Sequence, residues 1–126
     1  MMIQEVNHNN TDYTIAIGYT QDGNTGVKVI NKKTNEIEYE FLVNTALDYM
    51  YNNYIVRIED MEVNDKTYKE LCLLLTHTFI KEHLESELLS DIPEVFIDKI
   101  KNAVTEIAYI VVNMLMWSDY SFKIEN

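Results

Sequence analysis

All three glycines of this chain, Gly18, Gly23 and Gly26, fall within residues 18–26, and the single proline is Pro93. Gly and Pro are the strongest local breakers of regular structure. Their placement confines sharp reversals to the first quarter of the sequence and leaves long stretches beyond it in which helices can run uninterrupted.

The apolar pattern changes in the same region. Tyr13, Ile15, Ile17 and Tyr19 alternate with Thr14, Ala16, Gly18 and Thr20, the period of a strand with one apolar face. Gln21-Asp22-Gly23-Asn24-Thr25-Gly26 is turn chemistry, because Asp-Gly and Asn tolerate positive φ. A second strand is predicted over Val27–Lys32, with a reversal at Lys33-Thr34-Asn35-Glu36. In the third, Ile37, Tyr39, Phe41 and Val43 point one way and Glu36, Glu38 and Glu40 the other. The simplest assembly is a three-stranded antiparallel meander over residues 12–43, packed on one face and wet on the other. Residues 1–12 are polar and read as a mobile N-terminus.

The spacing then becomes helical. Asn44 is a suitable N-cap for a helix from Thr45, along which Leu47, Met50, Tyr51, Tyr54 and Ile58 share a face. Residues 54–63 also fit a short strand, since Val56-Arg57-Ile58-Glu59 alternates; helix to about residue 59 is the preferred reading. A second helix is expected from an N-cap at Asp65, with Tyr68, Leu71, Cys72, Leu75, Phe79 and Leu84 as its stripe and Leu88 at its end. Asp91 and Glu94 have capping-box spacing around Pro93, so a third helix is predicted from Ile92 to about Trp117. Its second half, Ile107–Trp117, is apolar all round, which implies burial all round, within one chain or against a second. Tyr120–Ile124 alternates again and is a candidate C-terminal edge strand. The expected fold class is therefore α+β: a three-stranded meander followed by two or three helices, with that short edge strand. One domain spans 1–126, divided into the meander (12–43), a helical part (44–117) and a tail (118–126).

Catalytic signatures are sparse. The sequence contains no Walker loop, GxGxxG, HExxH or GxSxG. His77 and His83 are six residues apart and do not share a helix face. A metal site of His83, Glu87 and an acid of the third helix is weaker than a solvated acidic face. Cys72, the single cysteine, lies in Leu71-Cys72-Leu73-Leu74-Leu75 and reads as a core thiol rather than a nucleophile paired with His77. Trp117, Asp119 and Tyr120 read as a packed corner before a ligand pocket. No catalytic residue, metal or cofactor is expected. The longest apolar run is too short for a membrane span of about 20 residues. No secretory signal precedes it, which makes a cytoplasmic location the expectation.

Charge is the most distinctive total. Twenty-one acids against ten bases give −11, with Arg57 the single arginine. Such a balance disfavours direct contact with nucleic acid or anionic membrane, which needs a basic stripe, and steers basic partners toward the chain. The acids are clustered. One block contains Glu36, Glu38, Glu40, Asp48, Glu59, Asp60, Glu62 and Asp65; the other contains Glu82, Glu85, Glu87, Asp91, Glu94 and Asp98. Alternate strand residues stand about 6.6–6.8 Å apart on one face, so Glu36, Glu38 and Glu40 form a carboxylate row. That pitch is close to twice the ~3.4 Å per-strand rise of duplex DNA.

The sequence thus favours a non-enzymatic acidic protein-binding module, of the inhibitor or immunity type. It would occupy the basic, nucleic-acid-binding surface of a protein partner through Glu36, Glu38, Glu40, Glu59, Asp60 and Glu62. The rival expectation is a dimeric small-ligand-binding or sequestering protein, with an aromatic-lined pocket between sheet and third helix. A homodimer through the apolar end of that helix is compatible with either.

Overall fold

The computed structural model describes residues 1–56, 67–85 and 92–125, with residues 119–125 described in backbone only. Its sheet has four strands, β1 (Met2–His8), β2 (Thr11–Tyr19), β3 (Thr25–Asn31) and β4 (Ile37–Val43), antiparallel and in sequential order. The meander therefore gains one strand over the three expected. Residues 1–12 are the source of the difference: Val6 is buried, and β1 pairs along its full length with β2, from Met2 opposite Ile17 to His8 opposite Thr11. Asn9 and Asn10 both adopt positive φ, 52° and 63°, the backbone of a two-residue hairpin turn whose twist matches the strands it joins.

The other two turns rest on specific polar contacts. Gly23 (φ 83°) donates its N–H to the Thr20 carbonyl at 3.1 Å and closes the β2–β3 turn. Asn31 Oδ1 accepts from the N–H groups of Lys33 and Thr34, and Asn35 takes the left-handed conformation at φ 63°. This last reversal is accompanied by a register shift at Val29/Ile30, and it leaves Ile37 at 47% exposure instead of in the core.

One face of the sheet is covered by helices. Ile15, Ile17, Val27, Val29 and Val43 are almost wholly buried there. Helix α1 (Leu47–Met50) continues directly into a wider i→i+5 segment, Tyr51–Ile55. Helix α2 (Tyr68–Phe79) does the same over Ile80–Leu84, and α3 runs Glu94–Glu125. The i→i+5 turns have a packing reason. Five residues of ordinary helix rotate a side chain well off the previous face, whereas a wider turn returns it. Phe79 and Leu84 are both fully buried.

Helix starts differ from the sequence reading in instructive ways. Asn44 Oδ1 accepts from the Ala46 N–H at 3.3 Å, so it shapes the approach to α1, which begins two residues later than expected and leaves Leu47 half exposed. Thr67, not Asp65, caps α2: its hydroxyl accepts from the Glu70 N–H. Asp65, Leu88 and Asp91 lie outside the described residues, as does most of the stretch for which helix and strand competed. The Pro93 carbonyl accepts from Phe96 and Ile97 in the first turn of α3. The predicted C-terminal edge strand is replaced by helix, since α3 continues through residues 120–124. No chain breaker follows Pro93, and a helix already nucleated extends residue by residue at little cost.

Helix α3 is the spine. It crosses β1, β2 and β3 on one side and α2 on another. Ile100, Val104, Ala108 and Val112 are fully buried along it. Phe96 locks its start to the sheet, with the rings of Tyr13, His8 and Tyr39 at 5.0, 5.6 and 6.2 Å. Near its other end, the Tyr68 hydroxyl donates to the Asn113 carbonyl at 2.7 Å, and Cys72 lies against Met116, with 3.5 Å between their sulfurs. No described helix is long and apolar enough to cross a membrane.

Two expected results follow from that α2–α3 contact. Burial, helped by the neighbouring Cys72, pushes the Tyr68 phenol up to about 12. The folded state thus holds this proton more tightly than the unfolded chain. The stabilisation is complete below the unfolded value of about 10 and is lost as pH rises toward 12. Urea titrations across that interval should show falling stability, and Tyr68→Phe should flatten that part of the profile. Burial likewise raises the Cys72 thiol. Native protein should therefore react with a thiol reagent at least ~100-fold more slowly than urea-unfolded protein; equal rates would place the thiol at the surface.

Candidate protein-binding surface

The helices pack on one side of the sheet, and the other side carries exposed side chains from its strands. Strand alternation assigns its residues. Glu40, Lys28, Ala16 and Ile3 form one row across β4, β3, β2 and β1; Leu42, Gly26 and Gly18 form the next. The glycines make room for neighbouring side chains. A Cβ at Gly18 would lie 3.6 Å from the Met1 side chain, and one at Gly26 would lie 3.6 Å from the Leu42 methyl. Between them is a shallow hollow of about 240 Å³, bordered by Met1, Ala16 and Lys28. Met1, Ile3 and Leu42 are 92%, 60% and 58% exposed, which makes this end of the face apolar.

The other end is charged. Glu38 and Glu40 stand exposed on β4, an edge strand of the described sheet, and Glu36 is exposed in the turn that enters it. The row is not uniformly anionic. Lys28 Nζ is 3.9 Å from Glu40, and Asn31 Nδ2 donates to Glu38 at 3.4 Å. Glu5, which the sequence reading did not single out, joins the same face from β1. It pairs with Lys32 at 3.1 Å and accepts from the Thr14 hydroxyl. Recognising β1 as a strand would have found it, and Asn9-Asn10 was the available signal. These ion pairs are solvent-exposed and hold their partners weakly, so a competing cation can displace the lysines. Glu59, Asp60 and Glu62 lie outside the described residues.

The described members of the second acidic block lie on the helices. Glu94 and Asp98 are exposed on α3. Glu85 at the end of α2 is 2.7 Å from the Lys101 ammonium, whose hydrogen bond holds that carboxyl below its usual range. Glu87 and Asp91 are outside the described residues.

The remaining candidates resolve into structural roles. His83 stacks on Phe79 and bridges two segments: its Nε2 accepts from the Asn44 N–H, and its Nδ1 faces the Tyr49 hydroxyl, each at 3.3 Å. With both nitrogens engaged, the ring ties the β4–α1 junction to α2. Thr45 and Thr25, both buried, share a 2.9 Å hydrogen bond, and Thr45 also donates to the Gly23 carbonyl, which fixes the β2–β3 turn to the same junction. Cys72 is buried while His77 is exposed, so they form no nucleophile–base pair. Among the described residues no group of three or more His, Cys, Asp or Glu is arranged to hold a metal ion. Trp117 is 65% exposed with its ring edge-on to Tyr68; the side chains of Asp119 and Tyr120 are not described.

The pocket expected between the sheet and the third helix is instead the packed core of Ile15, Ile17, Val29, Ile100 and Val104. The larger hollow, about 590 Å³, lies between α2 and α3 and is open to solvent.

No family model matches the chain, and neither does any curated protein or any solved structure.

Proposed function

We propose that this chain is a non-catalytic protein-binding module that presents the outer face of its meander to a basic protein, of the kind whose own surface binds nucleic acid. One observation carries the reading. Glu38 and Glu40 are exposed on an edge strand, with Glu36 beside them, and the same face carries the exposed apolar residues Leu42, Ile3 and Met1. Acidic groups next to an apolar patch are the two halves of a protein interface: charge orients and accelerates encounter, and apolar burial holds the complex. The net charge of −11 extends the attraction beyond contact distance.

The test is capture from the native lysate on immobilised wild-type chain and on a Glu38→Lys/Glu40→Lys variant. The expected result is a basic protein retained by the wild type at about 50 mM salt, released at about 500 mM, displaced by added duplex DNA, and not retained by the variant. Equal retention by both baits, or no retained protein, would overturn the reading. Retention that ignores DNA competitor would keep the acidic interface and remove the nucleic-acid-mimic part.

A further inference from the structure

The solvent side of α3 changes character halfway along. Glu94, Asp98, Asn102 and Glu106 recur at four-residue spacing and are exposed. Further along, where the exposed side has turned with the helix, Ile110, Met114 and Trp117 are 60%, 49% and 65% exposed. Leu73 of α2, 37% exposed, flanks them across the 590 Å³ hollow, whose walls include Thr76 and Tyr109. A contiguous apolar patch of this kind exceeds scattered surface residues and marks an interaction surface.

Charge identifies the occupant. The hollow and its neighbour along the α2–α3 seam are lined by Lys69, Lys81 and Lys101 and by Glu85 and Glu106. Three bases and two acids nearly balance there, on a chain that totals −11. Two such chains repel over most of their surfaces and least at this seam. A basic partner would instead be drawn to the acid-rich faces elsewhere. Extent agrees: from Lys101 to Trp117 α3 runs about 24 Å, and two helices side by side span about 20 Å. That face is on the order of 500 Å² in projection, enough for a modest reversible dimer.

We infer that the α2–α3 seam is where two copies of this chain meet face to face, about a two-fold axis that lays α2 of one copy on α3 of the other. In that arrangement Lys69 of each copy comes opposite Glu106 of the second, and Ile110, Met114 and Trp117 are removed from water. The outer sheet faces point away from the axis, so this pairing is independent of the partner proposed for them.

Sedimentation velocity across a concentration series tests it. The expected result is a shift from the 14.8 kDa chain to twice that mass, with a dissociation constant on the order of 10 µM. Ile110→Glu, and separately Met114→Lys, should weaken association at least ~100-fold while leaving the circular dichroism and unfolding midpoint of the monomer unchanged. Leu42→Glu, on the outer sheet face, should leave it intact. Lys69→Glu and Glu106→Lys should each weaken it, and the double exchange should restore it. A wild type monomeric at about 500 µM, far above that constant, would overturn the inference. So would a dimer indifferent to Ile110→Glu, or one broken by Leu42→Glu.

Discussion

Phe96→Ala is expected to cost about 3–5 kcal/mol of unfolding free energy, a large part of the roughly 5–15 kcal/mol available to a domain of this size. Phe96 is 1% exposed and touches three rings carried by three different strands, His8 of β1, Tyr13 of β2 and Tyr39 of β4. Removing it opens a cavity at the point where the long helix is registered on the sheet, and the three surrounding rings cannot all relax into that space. Urea unfolding followed by tryptophan fluorescence and by far-ultraviolet dichroism measures the loss. Asp98→Ala, at an exposed position two residues later, should change stability by no more than about 0.5 kcal/mol. A loss below about 1 kcal/mol for Phe96→Ala would show that the sheet and helix are held together elsewhere.

The second large effect is on binding. Each Glu→Lys exchange changes the charge by two, so Glu36→Lys, Glu38→Lys and Glu40→Lys together take the chain from −11 to −5. All three side chains are exposed, so the fold should survive with an unfolding midpoint close to that of the wild type. Affinity for the basic partner should fall by a factor on the order of 100 or more, with the association rate carrying part of the loss. The dependence of the remaining affinity on salt should flatten, because fewer opposed charges are left to screen. Stopped-flow or surface-capture kinetics at two salt concentrations reads both effects. Unchanged affinity would remove the β4 carboxylates from the interface and leave the apolar end of the face, Met1, Ile3 and Leu42, to be tested alone.

The parts of this architecture legible in the sequence were those governed by strong local period. Ile15 and Ile17, Val27 and Val29, Tyr39, Phe41 and Val43 follow the alternation and face the core or pack against it. Leu71, Cys72, Leu75 and Phe79 follow the helical spacing and are buried. The strand that was missed has Gln4 and His8 at inward positions, which masks its alternation. His8 is placed there because Phe96, 88 residues further along, offers a ring to pack on. No local pattern carries that information. The tail is a case of the opposite kind. Tyr120–Ile124 alternates as a strand does, but a continuing helix upstream overrides a short local preference. In the surface proposed for binding, Glu36, Glu38 and Glu40 were legible as a row, while Lys28, Lys32 and Glu5 were not legible as their neighbours. Cross-strand partners depend on register, which turns and the shift at Val29/Ile30 determine.

The order of elements along the chain has a consequence for synthesis. The four strands are made first, and their hairpins are local enough to form as they emerge. Yet the inner face they create, with Ile15, Ile17, Val27 and Val29 fully buried in the finished molecule, is roofed by Phe96, Ile100 and Val104, which are translated tens of residues later. At roughly 5–20 residues per second, the sheet waits several seconds with that face uncovered. A ribosome-bound chain ending before α3 should therefore be bound by chaperones and sensitive to protease. Release of the remaining segment, which carries α3, should convert it to the protected form in one step.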